Sequence, residues 1–248
     1  MEYIVGRKPV LESFYGRRQV FKVLIAAEAK QSPVLDKIVE AAASAGVSVT
    51  RVAGGEIERA AGDVVHQGVA AEVSDFRCVS LDEVLEAAAG KDHSLVVLLD
   101  RLTDPQNLGA VVRTATAAGA DGVVIPKHEA SPVTPAVVKA SAGATEHARI
   151  ACANLNLAID KLKEAGFWIV GAEAGAASAI WQVDLTGKIA LVFGNEGWGL
   201  ARLVKSKCDF LAKLPLAGPV ESLNVSAAAA VMIYEVVRQS GERVRSEE

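Results

Sequence analysis

Apolar positions along the chain fall into two alternating series. In the first, "VFKVLIA" (Val20–Ala26) is a short run rich in β-branched residues and predicts a strand. Ser32–Ala45 carries its apolar residues at helical spacing, and "VSVTRV" (47–52) and "GVAAEVS" (Gly68–Ser74) predict two more strands. This makes a compact α/β unit ending near Phe76. "RCVSLDEVLEAAAGKDHS" then offers a short helix flanked by Gly90, Lys91 and Asp92, expected to serve as a linker over 77–93.

The second series opens with "LVVLLD" (Leu95–Asp100), a continuous apolar run suited to a strand buried on both faces. "DGVVIP", "GFWIVGA", "IALVFG" and "DFLAKLP" are the next strand candidates. Helical patterns lie between them at Asn107–Ala118, Pro135–Ala140 and Leu155–Ala165, and again after Gly199. Strands alternating with helices predict a parallel sheet covered on both faces, with ligands beyond the carboxyl ends of its strands. The unusual residues of this half fall there.

Composition narrows the class. At 51% hydrophobic and 23% charged, the 248 residues fit a globular protein and argue against disorder. No apolar run reaches the roughly 18–20 residues of a membrane span, and the N-terminus carries no apolar signal core, so a cytoplasmic protein is expected. Three cysteines (Cys78, Cys152 and Cys208), far apart and in no CxxC pair, predict free buried thiols. His66 reads as an RNA contact or a strand cap. His93, His128 and His147 lack metal-ligand spacing, so no metal is expected. A net charge of −4 weighs weakly against indiscriminate nucleic-acid binding, but Arg7, Lys8, Arg17, Arg18 and Lys22 cluster around a single acid, Glu12. That stretch is either a solvated helix face or a phosphate-facing patch.

Three loops carry candidate chemistry. In "DRLTDPQNLGAVVRTATAAGADGV", Asp104-Pro105 turns the chain, Asn107 is placed to cap a helix, and Arg113 follows within about 40° of it on the same helical side. "VFGNEGWGL" (Val192–Leu200) has a strand–glycine turn–helix layout, yet its spacing is G-x-x-G-x-G, it has no P-loop lysine, and Glu196 is hostile to phosphate. Trp198 within it reads as a packing residue or a stacking surface. In "LPLAGPVESLNVSAAAAVMIYEVV", Ser222 and Asn224 open a long apolar helix, Ser222 in the place of a cap. Its alanines, Ala227–Ala230, suit a close dimer contact or a tight core.

Together the three stretches resemble the SpoU/TrmH branch of the SPOUT RNA methyltransferases. "DPQNLGAVVRTA", "LVFGNEGWGL" and "LPLAGPVESLNVSAAAA" look like its three motifs in order, and "IVGRKPVLE" and "HQGVAAEV" look like the L30e-like RNA-binding domain of many members. The two-domain arrangement most resembles bacterial enzymes that methylate a guanosine ribose 2′-hydroxyl in 23S ribosomal RNA, with tRNA as the alternative substrate. A non-catalytic RNA-binding ribosome assembly factor is the competing function. The resemblance implies an L30e-like α/β domain over 1–76 and a SPOUT catalytic domain over 94–248, the latter a parallel sheet with a trefoil knot. It implies S-adenosylmethionine as cofactor, contacted by the backbone of Gly194, Leu214 and Leu223, and a homodimer through the knotted domain. Catalysis falls by the same resemblance to Arg113, Asn107, Glu196, Ser222 and Asn224. Arginine stays protonated below pH 12, so Arg113 is either the nominal base or a group that holds phosphate and developing alkoxide. Glu196 either accepts backbone N–H bonds or holds a side chain such as Arg113. Arg7, Lys8, Arg17 and Arg18 are the RNA-binding candidates.

Overall fold

A computed structural model describes residues 1–62, 65–127 and 130–241. The chain divides into two compact units. The first joins Met1–Arg77 with Leu108–Arg113 and Pro132–His147, and the second holds the remainder.

The first unit is built on β1 (Glu2–Val5), α1 (Arg7–Ser13), β2 (Val20–Ala26), α2 (Pro33–Ser44), β3 (Ser48–Val52), α3 (Gly54–Ala61) and β4 (Val69–Val73). Its sheet runs β1-β4-β2-β3, with β2 and β3 parallel and the other pairs antiparallel. Ser32 caps α2 by accepting from the Leu35 N–H, and Pro33 sits at the first helical turn, where its missing N–H costs nothing. Val5, Leu24, Ala26, Ile57 and Ala70 pack together on one side of this sheet.

The remaining elements are α4 (Leu81–Ala88), β5 (Ser94–Leu99), α5 (Pro105–Ala117), β6 (Gly122–Pro126), α6 (Pro135–Ala140), β7 (Ile150–Ala153), α7 (Leu155–Glu164), β8 (Trp168–Ala172), β9 (Ser178–Ala179), β10 (Lys188–Phe193), α8 (Arg202–Lys207), β11 (Phe210–Lys213) and α9 (Val225–Ser240). Seven strands form one sheet, β7-β6-β5-β10-β8-β11-β9, and every pairing in it is parallel. All six residues of β5 are buried, as a strand covered on both faces requires. On α7, Leu155, Ala158, Ile159 and Leu162 recur at the 3–4-residue spacing of one helical face and enter the core. The segment expected as a linker contributes to that core too. Ser80 and Glu83 form a reciprocal capping box that starts α4, and Val84 and Ala88 are buried beneath it.

The cysteines depart from expectation. Cys78 and Cys152 form a disulfide with Cα atoms 5.6 Å apart, because Val79 bridges Ala151 and brings two distant segments side by side. Cys208 is free, and burial pushes its thiol pKa up to about 11. No helix among the described residues is long and apolar enough to cross a membrane.

Candidate active site

The loops that follow β5, β10 and β11 open at the same edge of the parallel sheet. One cavity of about 660 Å³ lies there, and Gly194, Glu196, Leu214, Ser222, Leu223 and Asn224 all line it. Two of the three sequence-picked loops thus supply its walls directly. Beyond them, Glu173 after β8, Lys213 and Glu221 also line the cavity. Glu173 was findable by its place at the carboxyl end of a strand.

The first loop acts through Asn107. Asp104 caps α5 by accepting from the Gln106 N–H at 3.0 Å, so Asn107 is inside the helix rather than at its cap. Its buried amide is thereby free to bridge. Nδ2 donates to Glu196 Oε1 at 2.7 Å, and Oδ1 accepts from Asn224 Nδ2 at 2.9 Å. Asn224, and not Ser222, caps α9: its Oδ1 accepts from the N–H and Oγ of Ser226 at 2.8 and 2.6 Å. One hydrogen-bonded chain therefore runs from Glu196 through Asn107 and Asn224 to the start of α9, joining all three loops. Glu196 does hold a side chain, but that side chain is Asn107 and not Arg113.

The glycine turn is internally braced. Asn195 and Gly199 exchange backbone bonds at 3.1 and 2.9 Å, and Asn195 Oδ1 accepts from the Gly197 N–H at 2.9 Å. A Cβ on Gly194 would stand 2.2 Å from the Gly199 carbonyl carbon and 2.4 Å from the Leu200 nitrogen. The loop's own backbone is thus sufficient reason for glycine at 194. Two further bonds fix the turn to the end of β5: Asn195 Nδ2 donates to the Arg101 carbonyl at 2.9 Å, and the Ala201 N–H donates to Asp100 Oδ2 at 2.6 Å. Trp198 is 87% exposed, so it is not a packing residue.

Arg113 is exposed on α5 and is not among the residues lining the cavity. In the first unit, Arg18 is corrected from the phosphate-facing set. Its side chain is buried, bonded to both oxygens of the fully buried Glu146 and to Glu2. Arg7 is also committed, donating to Ser32 Oγ at 2.6 Å and to the carbonyls of Lys30 and Gln67 at 2.7 and 3.2 Å. Lys8 and Arg17 remain exposed. The histidines have ordinary structural roles: His66 Nδ1 accepts from the Gly68 N–H, His93 Nδ1 from the Gly187 N–H, and His147 pairs with Glu12. His128 lies outside the described residues.

The sequence pattern of the SpoU rRNA methylase family matches residues 94–234, and that of the RNA 2′-O ribose methyltransferase substrate-binding family matches residues 3–78. The chain is similar to a Bacillus subtilis protein assigned to the TrmH family of tRNA/rRNA methyltransferases, 40% identical over 240 residues and 96% of each chain. A Staphylococcus aureus protein assigned to the same family is 41% identical over 238 residues, 95% of each chain. Among solved structures it is similar to the SpoU methyltransferase AviRb of Streptomyces viridochromogenes, with a TM-score of 0.80 at 24% identity over 96% of this chain and 89% of that one. An AdoMet-bound rRNA methyltransferase of Sinorhizobium meliloti gives a TM-score of 0.78 at 25% identity, covering 96% and 87%.

Proposed function

This chain belongs to the SpoU rRNA methylase family, and on that premise we propose that it methylates a guanosine ribose 2′-hydroxyl in 23S ribosomal RNA, using S-adenosylmethionine. The observation that carries the proposal is the chain of hydrogen bonds joining Glu196, Asn107 and Asn224 beside one cavity. A relay of this kind holds three loops in a single geometry.

The cavity's chemistry fits the cofactor. Its polar lining includes three carboxylates, Glu173, Glu196 and Glu221, against one ammonium, Lys213. Such a rim favours a cationic sulfonium and ammonium and disfavours phosphate, as the glycine spacing also does. The backbones of Gly194, Leu214 and Leu223 would hold it, with Lys213 suited to its carboxylate. When bound, the cofactor supplies an electrophilic methyl group.

What the chain itself supplies is position and charge. Asn107 and Asn224 fix the loops, and correct placement of reacting groups accounts for much of the rate in an in-line transfer. Ser222, uncharged and exposed at the cavity, is suited to orienting the ribose. A guanidinium is a permanent cation, so Arg113, exposed outside the cavity lining, is assigned to holding an RNA phosphate and stabilising negative charge at the 2′-oxygen, the proton leaving through that phosphate or water. Residues 1–76 serve as the RNA-binding domain and 94–248 as the catalytic domain, with 77–93 joining them and packing α4 into the core of the latter. The family patterns, at 3–78 and 94–234, support this division. We infer a trefoil knot in this sheet from the family membership alone. A cytoplasmic homodimer through the knotted domain completes the proposal.

The test is transfer of labelled methyl to 23S rRNA lacking the modification, followed by mapping of the methylated nucleotide. Arg113→Ala is expected to abolish most transfer while AdoMet affinity persists. A fully active Arg113→Ala would overturn its role, and methylation confined to tRNA would overturn the substrate. A protein that shows no heat of binding with AdoMet would be an RNA-binding factor instead.

A further inference from the structure

Trp198 is 87% exposed, and no hydrogen bond or ring contact holds its indole among the described residues. Tryptophan is on average well buried in folded proteins, so packing alone does not select this position for it. Trp168, also exposed, at least rests against Phe210, with ring centroids 5.6 Å apart. Trp198 has no such neighbour, yet the turn that carries it is fixed. Asn195 and Gly199 close the turn with two backbone bonds, Asn195 Oδ1 accepts from the Gly197 N–H, and Glu196 is held by Asn107. A braced loop thus presents a bare aromatic ring to solvent.

The position of that loop narrows what the ring can meet. Asn195, Glu196 and Gly199 line the cavity but Trp198 does not, so a cofactor bound there leaves the indole unexplained. Its flanks are open: a Cβ on Gly199 would meet nothing within 4 Å, and one on Gly197 only Asn195 Oδ1 at 3.5 Å. A flat group can therefore approach the indole beside the cavity mouth. Charge decides its kind. Residues 195–201 carry one carboxylate, Glu196, and no cation, and Glu221 adds another carboxylate to the cavity wall. Phosphates of an RNA strand are repelled at such a rim. A base face carries no net charge and stacks on an aromatic ring whatever its sequence.

We propose that Trp198 stacks against an unpaired base next to the methylated nucleotide, holding the strand at the cavity mouth where phosphate contacts are disfavoured. Unstacked bases of single-stranded RNA offer such faces. The inference rests on the RNA methylation proposed above, because the acceptor nucleotide brings its strand neighbours to this rim. It also divides the labour: a phosphate falls to Arg113, outside the cavity lining, and a base to Trp198.

The test uses the full chain and an RNA fragment containing the mapped nucleotide. Trp198→Ala is expected to raise KM for that RNA about fivefold to 100-fold, the worth of one stacked base, with kcat at saturating RNA and AdoMet Kd unchanged. Trp198→Phe, which keeps a ring, should stay within about threefold of wild type. Neighbouring nucleotides are then replaced one at a time by an abasic ribose. At one position the wild type should weaken to the level of Trp198→Ala, and that variant should not weaken further. With Trp168→Phe and Trp181→Phe in place, Trp198 fluorescence should be quenched by the intact fragment and not by that abasic one. A KM indifferent to Trp198→Ala overturns the inference alone, and so do equal losses in the Ala and Phe variants. If Trp198→Ala instead turns a dimer into monomers at unchanged KM, a second copy covers the ring and the inference falls. A wild type that methylates no RNA overturns the function and this inference with it.

Discussion

The bonds linking Glu196, Asn107 and Asn224 and the cluster of Arg18, Glu2 and Glu146 both tie distant parts of the sequence together, yet they are opposite in kind. The first is mostly neutral: two amides and one carboxylate, each amide both donating and accepting. The second packs three charges together, with side-chain exposures of 5% for Arg18 and 0% for Glu146. A buried ion whose partner is removed has nowhere to go, so the ionic cluster is suited to holding a fold. A neutral relay beside an open cavity loses less when cut, but every cut displaces a loop, so it is suited to holding a site in register.

Glu146→Gln probes the contrast most severely. Arg18 keeps Glu2 as its counter-ion, so the loss is that of the charge-assisted hydrogen bonds to Glu146, about 1.5–3 kcal/mol of unfolding free energy read from urea denaturation. A loss below about 1 kcal/mol, the worth of an exposed pair, would show that water relieves the charge and erase the distinction. Asn107→Leu should do the reverse. It should cost about 1–3 kcal/mol of stability but about 100-fold in methyl transfer, measured at saturating RNA and cofactor. Equal losses in Asn107→Leu, Glu196→Gln and Asn224→Leu would sharpen the case that the three act as one unit.

Smaller effects separate neighbours. Arg17 is exposed beside buried Arg18. Arg17→Ala should change stability by less than about 0.5 kcal/mol while lowering the salt slope of RNA binding by about 0.7. An unchanged slope would remove Arg17 from the RNA surface. The smallest effect concerns Cys208. With its thiol pKa pushed up to about 11, little thiolate exists at pH 8, and iodoacetamide should label it far more slowly than a free thiol. Rapid labelling of the native protein would show that the site opens.

How much of this was legible depended on whether the deciding partner was near in sequence. The apolar runs of β5 and β10 and the periodic face of α7 announce themselves, because burial on both faces or on one stripe is written locally. β1 escaped notice because "EYIV" is four residues long and half polar, and α3 because it opens on two glycines. Asp104 and Asn107, like Ser222 and Asn224, offer competing caps a few residues apart, and only the fold chooses between them. Arg17 and Arg18 are indistinguishable in sequence, since what separates them is a carboxylate at 146. The three loops were visible as motifs, but the bonds joining them span the chain and were not. Cys78 and Cys152 met for the same reason, through an isolated bridge from Val79 to the remote strand β7.

The pairing of β5 with β10 also bears on how the protein is made. Ser94 lies opposite Lys188, so β5, an interior strand of the large sheet, is synthesised long before one of its two neighbours exists. Until β10 leaves the ribosome, β5 presents an apolar, unpaired edge to other chains. Such non-local parallel pairings form slowly. Nascent chains that stall before residue 193 would carry that edge indefinitely, and they are the species on which chaperones should act.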